Sequence, residues 1–242
     1  MRINEPQVNV TPVSENGILI TWPEKISPQQ HQDILRVEHG IRRELNSELI
    51  DCIVSYSSLM VFYHFDRIQT ASIVQKLIKI VNQKVDFGDE YKFIASGKLI
   101  EIPVCYHASL ALDLAAVAHS CNLTTEEVIH LHSHTNYHAY ALGFTAGFCY
   151  LGKVSHKLNL PRMNTPRTQV PKGAVAIAEQ QTAVYPTSSP GGWHILGQTP
   201  LSMYKTATDK NYALPLISVG DTVKFHQISL AEFNAITHGE QS

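Results

Sequence analysis

The sequence predicts an α+β chain in two parts: an amino-terminal ferredoxin-like α/β domain over 1–88 and a β-rich barrel or sandwich over 89–242. Three observations lead there. Up to about residue 81 the segments run strand, helix, strand, strand, helix, the order of a split βαβ unit. The following stretch, VNQKVDFGDEYKFIASG, turns polar and holds two glycines, which marks a boundary. After residue 138 short alternating runs are cut by Gly or Pro about every ten residues, the texture of a barrel or sandwich.

ILITW (18–22) reads as a short apolar strand. SPQQHQDILRVEHGIRREL opens with Ser27 as N-cap, Pro28 at the first helical position and Gln30 completing a capping-box pattern; Ile34, Val37, Ile41 and Leu45 then fall on one helical face. LIDCIVSY and SLMVFYHF flank a Ser-rich turn and predict a hairpin. In TASIVQKLIKIV (70–81), Ile73, Leu77, Ile78 and Val81 are expected to face inward, and the apolar run near 91–95 is a candidate last strand of the first domain. KLIEIPVCY (98–106) opens the second region. LALDLAAVAHSCNL reads as a helix with Leu110, Leu114 and Val117 in phase, and TTEEVIHLH as another, with Thr124 and Glu127 forming a capping box.

Composition narrows the function classes. The chain is 44% hydrophobic and 17% charged with a formal net charge of −2, and its Lys and Arg are scattered, so no footprint for nucleic acid or anionic lipid stands out. The amino terminus lacks an apolar signal core and no stretch is long and apolar enough to span a bilayer, so the expectation is a cytoplasmic location with no membrane or nucleic-acid partner. Cys52, Cys105, Cys121 and Cys149 are widely spaced without a CxxC, which favours reduced thiols.

His130, His132, His134 and His138 crowd into nine residues. On a helix, residues two apart point about 200° from one another, and neither a neighbouring carboxylate at ligand spacing nor an HExxH is present, so no metal is expected. Imidazoles at a helix carboxyl end meet its partial negative charge, the reading taken for His130 and His134. Cys149 in an apolar strand and the lack of a GxSxG elbow argue against covalent catalysis.

The stretch 140–204 is the specific one. Gly143, Gly147 and Gly152 interleave with Phe144, Phe148 and Tyr150, either a ligand wall of tight turns and aromatic rings or a barrel corner. LPRMNTPRTQVP sets Arg162 and Arg167 each after a proline, positions for gripping a carboxylate or phosphate or simply two surface arginines. EQQTAVYP and SSPGGW place Gln181, Thr182, Tyr185, Ser189 and Trp193 around a sharp turn at Pro190, Gly191 and Gly192, which suits a small polar ligand or a tight turn anchored by Trp193.

Taken together, IPVCY, EEVIHLHS, LGFTAGFCYLG, PRMNTPR, VPKGAVAIAEQQTAVYP and SPGGWHILGQTP resemble the family of the B subunit of prokaryotic 5-oxoprolinase, also called allophanate hydrolase subunit 1 or Kip-type histidine kinase inhibitor. The resemblance is dense over about 99–205 and looser over about 8–85. It implies a carboxyl-terminal cyclophilin-like β-barrel. It also implies that the chain, inactive alone, acts with a homologous C subunit, and with an A subunit, to open 5-oxoproline to glutamate with ATP. The same family implies two alternatives, inhibition of a sensor histidine kinase's autophosphorylation or a part in an allophanate or urea hydrolase. Carried over by position, it points to His132, Arg162 and Arg167 as catalytic candidates, the arginines suited to stabilising a phosphorylated intermediate. Gly143, Phe144, Gly147, Phe148, Tyr150, Gln181, Thr182, Tyr185, Pro186, Ser189, Pro190, Gly191, Gly192 and Trp193 form the implied ligand-binding set. The chain departs from the family pattern at Ala146, Lys153, Met163, Glu179, Ala183 and the YHASL turn, all at the expected site, which bears on substrate and activity.

Overall fold

The computed structural model describes residues 8–83, 97–206 and 213–239. The chain divides into two compact units, 1–97 and 98–242. The division expected at 88/89 and the apolar run at 91–95 both lie outside the described residues.

The first unit runs β1 (Asn9–Pro12), β2 (Gly17–Thr21), α1 (Pro28–Leu45), β3 (Leu49–Val54), β4 (Ser58–Tyr63) and α2 (Thr70–Asn82). Its sheet order is β1-β2-β4-β3, and every neighbouring pair is antiparallel. Because β2 and β3 are both antiparallel to β4, they are parallel to each other with α1 as crossover, the ferredoxin-like split βαβ. The place beside β2 that a last strand would take is filled by β1. Ile34, Val37, Ile41 and Leu45 of α1 are buried with Ile18, Ile20, Leu59, Val61 and Tyr63 of the sheet, as the helical spacing predicts.

Two expectations here are corrected. Ser27 stands at the N-cap of α1 but its side chain makes no capping bond, and Gln30 Nε2 instead donates back to the carbonyls of Pro23 (3.0 Å) and Lys25 (3.1 Å), so no capping box forms. In α2 the inward face is Ile73, Leu77 and Ile80, an i, i+4, i+7 series, while Ile78 is 44% exposed and Val81 packs only at the edge.

The second unit contains β5 (Leu99–Cys105), α3 (Leu114–Cys121), α4 (Thr125–Ser133), β6 (Asn136–Leu142), β7 (Cys149–Gly152), β8 (Arg167–Val170), β9 (Ala174–Ala178), β10 (Gln181–Val184), β11 (Ser189–Gly191), β12 (His194–Gln198), β13 (Tyr204–Thr206), β14 (Ala213–Pro215), β15 (Thr222–Ile228) and α5 (Leu230–Gly239). Seven strands close a barrel in the order β10-β7-β6-β15-β5-β12-β9, so the choice between barrel and sandwich falls to the barrel. Closure leaves the sheet without free edges. The helix expected from Leu110 begins only at Leu114, residues 110–113 being turns, whereas α4 carries the predicted capping box: Glu127 N–H donates to Thr124 Oγ1 (3.1 Å) and Thr124 N–H to Glu127 Oε2 (2.7 Å).

Strand β9 explains where the site sits. All five of its residues are buried, because both its faces are covered. Val175 and Ile177 join Ile102, Val104, Val184 and Phe225 in the barrel interior. Ala174, Ala176 and Ala178, on the opposite face, belong to a separate cluster with Phe148, Tyr185, Trp193 and Ile195. The alternation of a strand thus puts small side chains outward, and large rings lie close against the barrel wall.

Candidate functional site

Those outward rings form a pocket. Phe144, Phe148, Tyr150, Arg162, Tyr185, Gly191, Gly192 and Trp193 line an open cavity of about 60 Å³. Phe148 is the hub, edge-on to Tyr150, Phe144, Tyr185 and Trp193 with ring centroids 4.9, 5.3, 5.4 and 5.7 Å away. Such edge-to-face pairs stabilise beyond burial, by about 0.5–1.5 kcal/mol each. The Arg162 guanidinium carbon lies 5.8 Å from the centre of the Trp193 ring. All eight lining residues belong to the set proposed from sequence, in the three stretches 143–152, 160–171 and 179–193.

The turn that carries Phe144 is held from outside the motif. Phe144 has φ 64, 59% of it is exposed, and Gly147 has φ 76. A Cβ at Gly147 would lie 2.9 Å from the Tyr204 ring, and the Tyr204 hydroxyl donates to the Ala146 carbonyl. Only glycine meets both the left-handed backbone and the close approach. Since the contact at 146 is to a backbone carbonyl, Ala146 serves it as any residue would. Tyr204 lies inside the specific stretch, but no local spacing marks it as a site residue.

The two arginines separate. Arg167 donates two parallel bonds to Asp113, Nη1 to Oδ2 at 2.9 Å and Nη2 to Oδ1 at 2.6 Å, and its Nη1 also lies 3.0 Å from the Met163 sulfur. Asp113 further accepts from the Ile195 amide at 2.7 Å, while its own N–H donates to the Ile195 carbonyl. The carboxylate is 9% exposed. Arg167 therefore does not reach the pocket; it ties β8 to the start of α3 and to β12. From β8 the constraint passes to the pocket wall, because Arg167 is paired with Gly191 across the β8–β11 ladder and the Met163 amide donates to the Gly192 carbonyl. Arg162, in contrast, has no carboxylate within ion-pair distance among the described residues. Asp113 was missed in the sequence because it lies 54 positions before its partner, inside a stretch that reads as an ordinary amphipathic helix.

His132 also lies away from the pocket. It is fully buried in the barrel interior, stacked on Phe225 at 4.6 Å. Thr182 Oγ1 donates to the Ala176 carbonyl (3.1 Å), so it accepts from His132 Nε2–H (3.0 Å), which leaves Nδ1 to accept from the Tyr106 hydroxyl (2.7 Å). The carbonyl fixes the direction of the whole chain and the tautomer of the ring. Burial pushes the imidazole down to about 3 and the Tyr106 phenol well up, so both stay neutral. His132 and Thr182, expected at the site, are thus core groups aligning α4 with β5 and β10.

Of the remaining candidates, Gln181 sits on β10 opposite Gly152, Pro186 is buried, Pro190 is exposed, and Gly143 and Ser189 flank the pocket without lining it. The hydroxyls of Thr145 and Ser189 are buried without a hydrogen-bond partner among the described residues. Ala183 is buried in the aromatic cluster, Lys153 is exposed, and Glu179 is exposed with φ 53. His130 and His134 stack on one another 4.0 Å apart at the end of α4. All four cysteines are free thiols, and burial pushes that of Cys52 up to about 12. Among the described residues no helix is long and apolar enough to cross a membrane.

A ferredoxin-like unit, a closed barrel and an aromatic pocket on the barrel's outer wall define a two-unit α+β protein. The family described as carboxyltransferase domain, subdomain C and D, matches residues 8–214, and the chain belongs to it. It is 38% identical over 223 residues to the B subunit of 5-oxoprolinase from Haemophilus influenzae, covering 90% of this chain and 97% of that one. It is 32% identical over 230 residues to the B subunit of 5-oxoprolinase from Bacillus subtilis, covering 92% and 94%. Among solved structures, a conserved uncharacterized protein of Pyrococcus horikoshii aligns with TM-score 0.53 and 32% identity, over 93% of this chain and all of that one. The urea amidolyase of K. lactis aligns with TM-score 0.74 at 17% identity, over 96% of this chain and 15% of that one, a likeness of fold.

This geometry has two measurable consequences. Asp113→Ala strands the Arg167 guanidinium and should lower stability by about 3–5 kcal/mol, whereas Arg162→Gln should stay within about 0.5 kcal/mol, both read by urea unfolding. For His132 the unfolded ring titrates near 6.5 and the folded one near 3. Between those values the unfolded chain binds a proton the folded chain refuses. Stability is therefore full above pH 6.5 and falls on acidification, by up to about 1.4 kcal/mol per pH unit. Melting curves between about pH 7.5 and 4.5 should show a steeper acid loss for the wild type than for His132→Gln; equal slopes would contradict the buried neutral ring.

Proposed function

We propose that this chain is the B-type subunit of an ATP-dependent 5-oxoprolinase. It would act in the cytoplasm with a homologous C subunit, and with an A subunit, opening the lactam of 5-oxoproline to L-glutamate as ATP is hydrolysed. The observation that carries this reading is near full-length similarity to two proteins named as B subunits of 5-oxoprolinase. That those relatives are named as subunits supports a heteromer in which this chain alone is inactive.

The site is consistent with that division of labour. The cavity, about 60 Å³, is far below the roughly 300–1,000 Å³ of ligand pockets, so it offers a small acid a shallow seat at its open face and has no room for a nucleotide. ATP is accordingly assigned to another member of the complex. Among the residues lining the pocket Arg162 is the one cation, and it is the residue of this chain placed to meet an anionic substrate.

The test is co-expression with the C-type and A-type subunits, purification of the assembly, and measurement of ATP-dependent glutamate release from 5-oxoproline. Release by the full assembly and none by this chain alone is expected. An intact assembly that releases no glutamate would overturn the reading. In the active assembly, Arg162→Gln should lower turnover by about tenfold or more without loss of the complex.

A further inference from the structure

The one charged side chain of the pocket, Arg162, can only donate, and its two phenols, Tyr150 and Tyr185, can donate as well as accept. Tyr185 lies with its hydroxyl against the Cα of Gly191, so closely that a Cβ there would collide with it. Burial holds that phenol above its ordinary range, so it keeps its proton at neutral pH, and Arg162 is near enough to oppose the shift. Arg162 brings up to five N–H donors and no acceptor. Among the described residues no acidic side chain lines the pocket. One cation and two phenol hydroxyls, with no carboxylate in the lining to accept from them, call for a ligand carrying one negative charge and acceptor oxygens. The rest of the wall is Phe144, Phe148, Tyr150, Trp193 and two glycines, which suits a compact apolar ring. A phosphate would meet a single guanidinium and two phenols, with no lysine among the lining residues, a poor match for a group of higher charge.

We infer that Arg162 and the Tyr185 hydroxyl form a carboxylate subsite, and that the ring of a small cyclic acid rests on the outer side of the aromatic wall, against Phe144 and Tyr150. The inference rests on the 5-oxoprolinase reading for the choice of 5-oxoproline as probe, and deepens it by assigning the acid group of that molecule to named donors. Arg167 takes no part, because Asp113 holds both ends of its fork. Tyr185 also packs edge-on against Phe148 and sets its hydroxyl against Gly191, so loss of the whole ring would act on the ligand and on the pocket wall together.

The experiment is calorimetric titration, on this chain alone and on its assembly with the C-type partner, with 5-oxoproline, with its carboxamide and with inorganic phosphate. The carboxamide keeps the ring and removes the charge. Wild type should bind the acid roughly tenfold or more tightly than the carboxamide, and phosphate more weakly than the acid. In Arg162→Gln the acid should weaken by about tenfold or more while the carboxamide is unchanged, so that discrimination is lost, at an unaltered melting temperature. Tyr185→Phe should weaken the acid several-fold, again more than the carboxamide.

Equal affinity for acid and carboxamide in the wild type, discrimination kept in Arg162→Gln, stronger binding of phosphate, or no binding of the acid by chain or assembly would each overturn the subsite. The two readings fail separately. Discrimination without glutamate release would leave the subsite and remove the oxoprolinase, whereas full turnover by the Arg162→Gln assembly would remove the subsite and leave the oxoprolinase.

Discussion

The geometry of the site depends on one buried carboxylate. Asp113 stands at the start of α3, accepts both arms of Arg167 and the amide of Ile195, and so fixes a helix start, β12 and β8 to one another. The PGG turn is held by β8, which pairs with β11, and by the loop just before it, where Pro166 packs beside Gly192 and the Met163 amide donates to the Gly192 carbonyl. An ion pair at this depth gives little net stability against an apolar alternative, because both charges were taken from water. Its value is directional: two parallel charge-assisted bonds hold a plane and an angle that apolar packing leaves loose. Arg167 is therefore a positioning residue, and Arg162, five residues earlier in the same proline-stiffened loop, is the one free to meet a ligand.

A second fixed network lies on the other side of the same wall. Tyr106, His132 and Thr182 donate in sequence toward the Ala176 carbonyl inside the barrel, while Ala176 turns its methyl outward under the aromatic cluster. Strand β9 thus separates a polar chain that sets the position of α4 from the aromatic cluster whose outer rings line the pocket. A fully satisfied buried network of this kind rigidifies its surroundings, which matters for rings that pack on the far side of the same strand.

Much of the fold was legible in the sequence because it is written in local periodicity. The α1 face at Ile34, Val37, Ile41 and Leu45, the β3–β4 hairpin and the α4 capping box all follow from spacing and turn chemistry within a few residues. The errors fall where alternatives are equally good locally. Gln30 had loop carbonyls to reach as well as the N-cap, and Ile78 and Ile80 are chemically identical, so only the direction of the sheet chooses between them. The pocket was legible as a set of stretches, through aromatic and glycine punctuation, but the roles within it were not. His132 and Arg167 look like site residues by type, yet their partners Tyr106 and Asp113 are 26 and 54 positions away, and only folding reveals that both are already satisfied.

The central claim is the division between the two arginines, one bound to the protein and one reserved for the ligand. A crystal structure of the chain with 5-oxoproline, alone or with its C-type partner, tests it most directly. The carboxylate should lie between the Arg162 guanidinium and the Tyr185 hydroxyl, with the Asp113 to Arg167 fork unchanged. A carboxylate seated on Arg167, with Asp113 released, would contradict the account.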